Sequence, residues 1–294
     1  MGNALKTTFL LTLLTLGLVF VGGHFAGRQG LIFGFVIAAG MNFFSYFYSD
    51  KLALRMYRAQ PTTREQLPRV YQVVEQMTQR LGLPMPKIYV IPMSSPNAFA
   101  TGRNPQHASV AVTEGILQLL NDEELAGVLA HELGHVQNRD ILTSSIAATL
   151  AGAITMIARM GYWAALFGGY GDRRGNNRGG GGISALFMLI LAPIAAMLIQ
   201  LAVSRSREYE ADATGAKITG NPYALASALE KLEAYSKSVP MTASPASAHL
   251  FIIAPLLGGG GFGNLFSTHP PTAKRIERLI GRTSVTGIAM GGTK

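Results

Sequence analysis

Two long apolar runs near the amino terminus constrain the fold of this chain most strongly. Residues 5–23 contain one charged side chain, that of Lys6, and residues 30–49 contain none. Each run approaches the ~20 residues that a helix needs to cross the hydrocarbon core of a bilayer. We therefore predict a transmembrane helical hairpin in residues 1–49. A secretory signal peptide that starts at Lys6 is the alternative for the first run, although no convincing A-x-A cleavage site follows it.

A second pair of apolar runs, residues 141–169 and 183–203, raises the expected number of transmembrane helices to four. The glycine-rich connector GYGDRRGNNRGGGG joins the two runs. It does not match a phosphate-binding loop, because no strand precedes it and no GK[ST] follows it. Charged residues make up only 14% of the chain, whereas typical soluble domains contain about 25%. This composition agrees with a chain that lies partly in lipid.

Basic side chains indicate which side of the membrane the polar regions occupy. The second apolar run is flanked by Lys51, Arg55, Arg58, Arg64 and Arg69, whereas the first connector offers only Arg28. Positively charged segments favour the cytoplasmic side, so the polar regions 50–140 and 204–294 are predicted to face the cytoplasm. Three arginines in the second connector oppose this topology: Arg173, Arg174 and Arg178. Either the second pair is only partly inserted, or the first pair dominates the topology.

The overall composition excludes several classes of protein. The net charge is +9, but the positive residues form no dense run and no helix-turn-helix or aromatic RNA-reading pattern is present, so no nucleic-acid partner is predicted. The membrane flanks explain the charge more simply. The chain contains no cysteine, which excludes disulfides and thiolate metal sites. Any metal ion must therefore be held by histidine and carboxylate side chains.

The first polar region predicts helices beside a small sheet. Apolar residues recur at helical spacing over 64–82, which ends at Gly82 and Pro84. Asn121, followed three residues later by Glu124, is typical of a capping box that opens another helix. Between them lie three strand-like segments bounded by Pro and Gly: Lys87–Met93, Asn97–Gly102 and His107–Thr113. We expect a mainly α fold with a small β-sheet.

The clearest chemical signal is the H-E-x-x-H motif at His131, Glu132 and His135. Residues four apart lie on one face of a helix, so both imidazoles can reach a single ion. Neutral imidazole binds zinc at ~2.0–2.1 Å. The carboxylate of Glu132 can then act as a general base toward a water molecule that zinc activates. The motif predicts one catalytic Zn²⁺ per chain.

Catalytic zinc needs a third protein ligand, and Glu208 is the best candidate. With ~3.6 residues per turn, Glu208 and Asp212 share one helical face, whereas Glu210 points about 200° away. Asp212 can accept an N–H from a ligating histidine and so fix its tautomer. The alternative is an ordinary charged helical turn that follows the membrane segment. The remaining histidines show no ligand spacing: His24, His107, His249 and His269.

Several segments resemble those of one peptidase family. HELGH is followed, after two apolar runs, by SRSREYEADATGA and then by STHPPTAKRIERL. Together with PNAFATGRNPQHASVAVTEGIL, this order resembles the HtpX branch of membrane zinc endopeptidases, which are related to the CAAX prenyl proteases. The resemblance spans residues 85–280 and the amino-terminal hairpin.

The resemblance implies a function and a location for the chain. It implies a zincin-like metalloprotease domain in which Glu208 is the third zinc ligand. It also implies endoproteolysis of misfolded membrane proteins in quality control, in a bacterial-type inner membrane, with the catalytic domain facing the cytoplasm. Unfolded polypeptides and the lipid bilayer are the expected partners, and no oligomeric state follows from the sequence.

Further residues are predicted to contribute to the site, and most of them have an alternative role. Asn97, Ala98, Phe99 and Ala100 are predicted to form a strand near the cleft, where an extended substrate could pair with the backbone; a plain core strand is the alternative. His269 could donate to the oxyanion of the tetrahedral intermediate or cap the helix that follows. We expect Arg275 to pair with a carboxylate near the site.

The layout of the chain predicts where the metal lies and leaves two other functions open. The motif helix is expected to run without a break into the third membrane span, with Glu208 five residues beyond the fourth. Both halves of the site would then lie close to the bilayer surface. A transporter with a structural zinc is disfavoured because the apolar runs carry almost no ionisable residues. Glu132 argues against a catalytically silent scaffold.

Overall fold

A computed structural model describes residues 3–146, 205–239, 252 and 270–285 of the chain. Nearly all of the predicted second membrane pair therefore lies outside the described residues, and so do His249 and His269.

The amino-terminal segment forms a helical hairpin. Helix α1 (Asn3–Met56) is interrupted at Ala26 and Gly27, where the backbone leaves helical φ/ψ values. The two halves lie side by side, because the Asn42 amide donates to the Thr15 hydroxyl at 2.9 Å. Within the described part of the chain, Ala26–Met56 is the one helix long and apolar enough to cross a membrane, and Thr7–Phe20 is a shorter apolar helix. The predicted total of four transmembrane helices stays a prediction.

A glycine allows the two halves of α1 to approach closely. A Cβ atom at Gly34 would lie 2.5 Å from the Leu18 carbonyl oxygen on the other half. Only a residue without a side chain can occupy this position without moving the helices apart. Gly34 is the second glycine of a G-x-x-x-G spacing that begins at Gly30, a pattern that brings helix backbones together in membranes.

The first polar region contains a mixed four-stranded sheet. Its strands are β1 (Gln60–Pro61), β2 (Lys87–Ile91), β3 (Ala98–Gly102) and β4 (Ala108–Thr113), in the spatial order β1-β2-β4-β3. Strand β2 runs parallel to β4, whereas β1 and β3 run antiparallel to their neighbours. Strand β3 therefore lies at one edge of the sheet. The three strands predicted from the sequence are confirmed.

Six further helices lie wholly within the described residues, and one of them is central. They are α2 (Pro68–Leu81), α3 (Glu114–Leu119), α4 (Asp122–Gln137), α5 (Arg205–Thr219), α6 (Pro222–Ser238) and α7 (Thr272–Ile280). Helix α4 carries the H-E-x-x-H motif and begins with the predicted capping box of Asn121 and Glu124. Leu125, Val128 and Leu129 of α4 are fully buried in the core. This burial fixes the motif helix between the sheet and helices α5 and α6.

The expectation that the motif helix continues unbroken toward residue 141 is wrong. Helix α4 ends at Gln137, and a new helical segment covers residues 140–146. Between them, Arg139 adopts a left-handed backbone conformation with φ of 57°, which ends the regular α-helix. The hydroxyls of Thr143 and Thr7 lie 3.0 Å apart, so the new segment contacts the amino-terminal hairpin.

The hairpin can be tested with Gly34→Leu. The leucine side chain would collide with the Leu18 backbone, so we expect the two halves of α1 to separate. Cross-linking between Thr15→Cys and Asn42→Cys reports the pairing, because these side chains touch and the chain has no cysteine of its own. We expect the cross-link to be largely lost.

Gly40→Leu is the matched control, because a Cβ at position 40 meets no described atom within 4 Å. Equal cross-linking in the two leucine variants would contradict the close approach at Gly34.

Candidate metal centre

Three side chains predicted as metal ligands converge between α4 and α5. His131 and His135 lie one turn apart on α4, and their Nε2 atoms are 3.2 Å apart. The Glu208 carboxylate on α5 lies 3.4 Å from His135 Nε2 and 3.8 Å from His131 Nε2. The possible ligand atoms of the three residues all lie within 4.8 Å of one another.

The geometry and chemistry of these donors fit a zinc ion. Tetrahedral zinc with bonds of ~2.0–2.1 Å places neighbouring ligand atoms about 3.4 Å apart. The observed separations of 3.2, 3.4 and 3.8 Å bracket this value. Two imidazole nitrogens and one carboxylate leave a fourth position open, as in catalytic zinc sites. The His135 side chain is 16% exposed whereas that of His131 is 1% exposed, so the site opens toward His135.

Small residues let α5 approach the motif helix closely enough to bring Glu208 to the histidines. A Cβ atom at Gly215 would lie 3.0 Å from the His131 backbone nitrogen. Ala211, one turn earlier on α5, is fully buried beside Gly134 of the motif. Larger side chains at these positions would separate the helices and withdraw the third donor.

The His131 imidazole is held by a buried ion pair. Its Nδ1 atom lies 2.8 Å from Asp212 Oδ1. Arg275 donates to both oxygens of Asp212, at 2.9 Å from Nε and 2.7 Å from Nη2, and its Nη1 donates to the Ile252 carbonyl at 2.9 Å. Burial alone would raise the pKa of Asp212, but Arg275 and the bond to His131 lower it to about 2. Asp212 therefore stays ionised and can fix the His131 tautomer.

A second carboxylate, which was not predicted from the sequence, lies beside His135. The Asp140 Oδ2 atom is 3.2 Å from His135 Nδ1. Burial of the imidazole would lower its pKa, but the bond to Asp140 and the charges of Glu208 and Glu132 raise the pKa to about 9. The signal in the sequence was an acidic residue, Asp140, five positions after His135. It could not be interpreted without knowledge of the turn at Arg139.

The predicted base lies against the edge strand. Glu132 is buried, and its Oε2 atom accepts a hydrogen bond from the Ala100 backbone N–H at 2.9 Å. The Asn97 carbonyl accepts from Thr113 N on β4 at 2.9 Å. Because hydrogen bonds alternate along an antiparallel pair, the backbone groups of Ala98 and Ala100 point away from β4. The edge of β3 that faces away from β4 therefore lies toward Glu132 and the candidate metal centre.

The remaining predicted residues occupy different positions around the site. The Asn97 side chain is buried and accepts from the Ile252 backbone N–H at 3.2 Å. The Phe99 ring lies on the face of β3 opposite to Ala98 and Ala100, and its centroid is 5.5 Å from that of Tyr57. His269 lies outside the described residues. The roles expected for these residues stay predictions.

The fold and the donor set define a metalloprotease, and comparison with known proteins agrees. The family model described as peptidase family M48 matches residues 64–283, which is more than half of the chain. A protein from Desulfatibacillum aliphaticivorans named protease HtpX homolog is 55% identical over 294 residues, which cover 99% of this chain and 94% of that protein. The chain belongs to peptidase family M48, and within it to the HtpX proteases.

Similar proteins also occur in other organisms. The protease HtpX homolog of Thermococcus sibiricus is 51% identical over 98% of this chain and 99% of its own length. The homolog of Aquifex aeolicus is 54% identical over 89% of this chain and 87% of its own length. The crystal structure of Ste24p from S. mikatae has a TM-score of 0.53 and 19% identity, over 95% of this chain and 65% of that protein. That likeness concerns the fold alone.

The raised pKa of His135 predicts how zinc uptake depends on pH. Below pH 9 the imidazole of the metal-free protein carries a proton, and zinc must displace it. We therefore expect the apparent zinc affinity to rise by about tenfold per pH unit up to pH 9 and then to level off. Competition with a chromophoric chelator measures this dependence.

The raised pKa of His135 also affects the stability of the metal-free protein. A raised histidine pKa stabilises the folded state fully below pH 6.5, and this contribution is lost as the pH rises through about 9. A zinc affinity that already levels off near pH 6.5 would show that His135 has the pKa of an ordinary histidine.

Proposed function

We propose that this protein is a membrane-embedded zinc endopeptidase that hydrolyses peptide bonds of misfolded membrane proteins. In this proposal His131, His135 and Glu208 hold one Zn²⁺, and Glu132 is the general base. The observation that carries the proposal is the meeting of the three donors beside a base that is itself hydrogen-bonded to the edge strand of a sheet. Metal, base and substrate strand are then within one cleft.

The protein groups divide the chemistry between them. Zinc held by these three residues would supply Lewis-acid chemistry toward a carbonyl group and a water molecule near neutral pH. Glu132 takes the proton of the attacking water and returns it to the amide nitrogen of the leaving chain. Its hydrogen bond from Ala100 holds the carboxylate in place for both transfers. Asp212 and Arg275 keep the His131 imidazole oriented.

Strand β3 is the proposed docking edge for the substrate. The backbone groups of Ala98 and the carbonyl of Ala100, which point away from β4, can pair with an extended peptide, as in other cases of β-strand addition. Because Glu132 bonds to Ala100, a peptide that pairs with β3 would bring its carbonyl groups next to the base. Backbone pairing reads no particular side chain, which suits a protease that acts on unfolded chains. Asn97 and Phe99 support this edge from within the fold.

The surface of α1 supports a location in the membrane. Large apolar side chains point outward along the hairpin, and Phe20 and Phe33 are 74% and 68% exposed. An apolar surface of this extent is unfavourable in water and suits lipid. The Lys51 ammonium lies 4.9 Å from the Tyr48 ring centroid, and such basic and aromatic pairs are typical of the membrane interface. We place the catalytic region on the cytoplasmic side of a bacterial inner membrane.

The position of β3 supports membrane proteins as substrates. Its Phe99 packs on Tyr57, just beyond the end of α1. Arg103, which follows the strand, has its guanidinium 5.4 Å from the Phe47 ring centroid. The docking edge thus runs along the polar end of the proposed transmembrane helix, where chains leaving the bilayer would meet it. His269 stays a candidate donor to the oxyanion, on the basis of the sequence alone.

The assignment of base and ligand is tested by comparing Glu132→Gln with Glu208→Ala. Glutamine cannot accept the proton, so Glu132→Gln should keep one zinc per chain while peptide cleavage falls at least about 10³-fold. Glu208→Ala removes the ligand oxygens, so this variant should lose both its bound zinc and its peptide cleavage. Metal analysis and a fluorogenic peptide assay in detergent measure the two properties.

These variants separate the two roles because they affect different measurements. Retained cleavage in Glu132→Gln would exclude it as the base. Full zinc content in Glu208→Ala would show that another group completes the metal shell.

The docking edge is tested by Ala98→Pro, which removes a backbone N–H that faces away from β4. Proline is tolerated on an edge strand, so the sheet should survive. We expect kcat/KM for an extended peptide to fall by about tenfold, the loss of one hydrogen bond, with unchanged zinc content. Ala98→Ser keeps the N–H at similar size and should cleave like the unmodified protein. Equal rates for the two variants would rule out pairing at this residue.

A further inference from the structure

We propose that Asp140 and Arg207 act as a positioning pair that orients the His135 imidazole for metal binding. This inference rests on the proposed zinc site and adds two residues to it. Neither residue belongs to the H-E-x-x-H motif or to the helical face of Glu208 and Asp212.

The contacts form a relay from a guanidinium to a ligand. Arg207 Nη1 donates to Asp140 Oδ1 at 3.4 Å, and Asp140 Oδ2 lies 3.2 Å from His135 Nδ1. Both charged residues are buried, with 3% of Asp140 and 7% of Arg207 exposed. With Nδ1 directed at the carboxylate, the His135 Nε2 atom faces His131 and Glu208. A carboxylate that receives the Nδ1 proton fixes the tautomer and increases the basicity of Nε2.

The backbone is shaped to make this relay. Helix α4 ends at Gln137, and the left-handed conformation of Arg139 directs the chain back toward the motif. An uninterrupted helix would have placed position 140 about 500° around the axis from His135, which is some 140° away from its face. The unusual conformation of a non-glycine residue therefore coincides with the return of Asp140 to the site.

The relay mirrors the one that supports the other histidine. His131 contacts Asp212, which pairs with Arg275 through two short hydrogen bonds. Each proposed zinc-binding imidazole thus has its own carboxylate and its own guanidinium. The bonds on the His135 side are longer, so we expect a smaller effect there, near the lower end of the ~10- to 100-fold range for such partners.

The pair also joins two distant parts of the chain. Asp140 immediately precedes the predicted second membrane pair, and Arg207 follows it and adjoins Glu208 in sequence. Their contact fixes the beginning of α5 against the end of α4. Loss of the pair should therefore make the positions of both Glu208 and His135 less fixed.

A purely structural role is the competing explanation, since buried ion pairs are common. The chain offers a matched comparison in Lys231, whose ammonium donates to the buried Glu124 at 2.8 Å. Glu124 also lies on α4, but at its opposite end, and it contacts Asn121 and Ser227 rather than a ligand. Removal of Lys231 tests general destabilisation without touching the metal centre.

The experiment compares zinc dissociation constants of full-length variants in detergent micelles, by competition with a chelator. We expect Asp140→Asn and Arg207→Met each to weaken zinc by about tenfold. The double variant should bind zinc no more weakly than Asp140→Asn alone, because Arg207 acts through Asp140. Arg207→Lys keeps the charge and should stay close to the unmodified protein. Lys231→Met should lower the unfolding temperature without changing zinc affinity.

Cobalt binding supplies a readout that destabilisation does not move. The visible absorption bands of Co²⁺ report ligand geometry, so they should change in Asp140→Asn and stay unchanged in Lys231→Met. A zinc affinity for Asp140→Asn within about twofold of the unmodified protein would overturn the inference. Equal weakening in Lys231→Met would do the same.

The remaining outcomes are also decisive. If Asp140→Asn does not fold, Arg207→Met and Arg207→Lys carry the test, and equal zinc affinity in these two variants would reject the relay. If the unmodified protein takes up no zinc at all, the proposed function itself fails. That result is distinct from a zinc-binding protein that is indifferent to Asp140.

Discussion

The contact between helices α4 and α5 is the interaction on which the rest of this structure depends. It joins two parts of the chain that are separated by the predicted second membrane pair. The contact is close because the residues where the helices meet, Gly215 and Ala211, are small. Only this approach brings Glu208 within reach of the two motif histidines. The metal centre is therefore a consequence of helix packing, as much as of the motif itself.

Local signals in the sequence predicted a large part of the fold. The capping box at Asn121, the end of α2 near Gly82 and the three strands each depend on residues within a few positions of one another. The break between the apolar runs near Gly27 was also expected from the sequence. The candidate ligands were found because four-residue spacing and helical faces are local properties. In each case the evidence for an element lies within the element.

The sequence could not predict features that depend on tertiary structure. Arginine has no preference for a left-handed backbone, so nothing in the sequence marked the turn at Arg139. Without that turn, Asp140 could not be assigned to the site. Asn97 was expected near the cleft, and its side chain also accepts a hydrogen bond from the Ile252 backbone N–H. This contact joins residues 155 positions apart, and no local pattern reports such a pair.

The charges buried around the site explain why a divalent cation belongs there. Among the described residues, four carboxylates and two guanidinium groups are buried together, which leaves two negative charges: Glu132, Glu208, Asp140, Asp212, Arg207 and Arg275. An uncompensated charge is unfavourable in such an environment. The raised pKa of His135 is the response of the metal-free protein, because a protonated imidazole offsets part of the excess. A zinc ion with two positive charges would offset all of it while both histidines stay neutral. The same charge balance includes both guanidinium groups, since removal of either would leave one more negative charge than a zinc ion offsets.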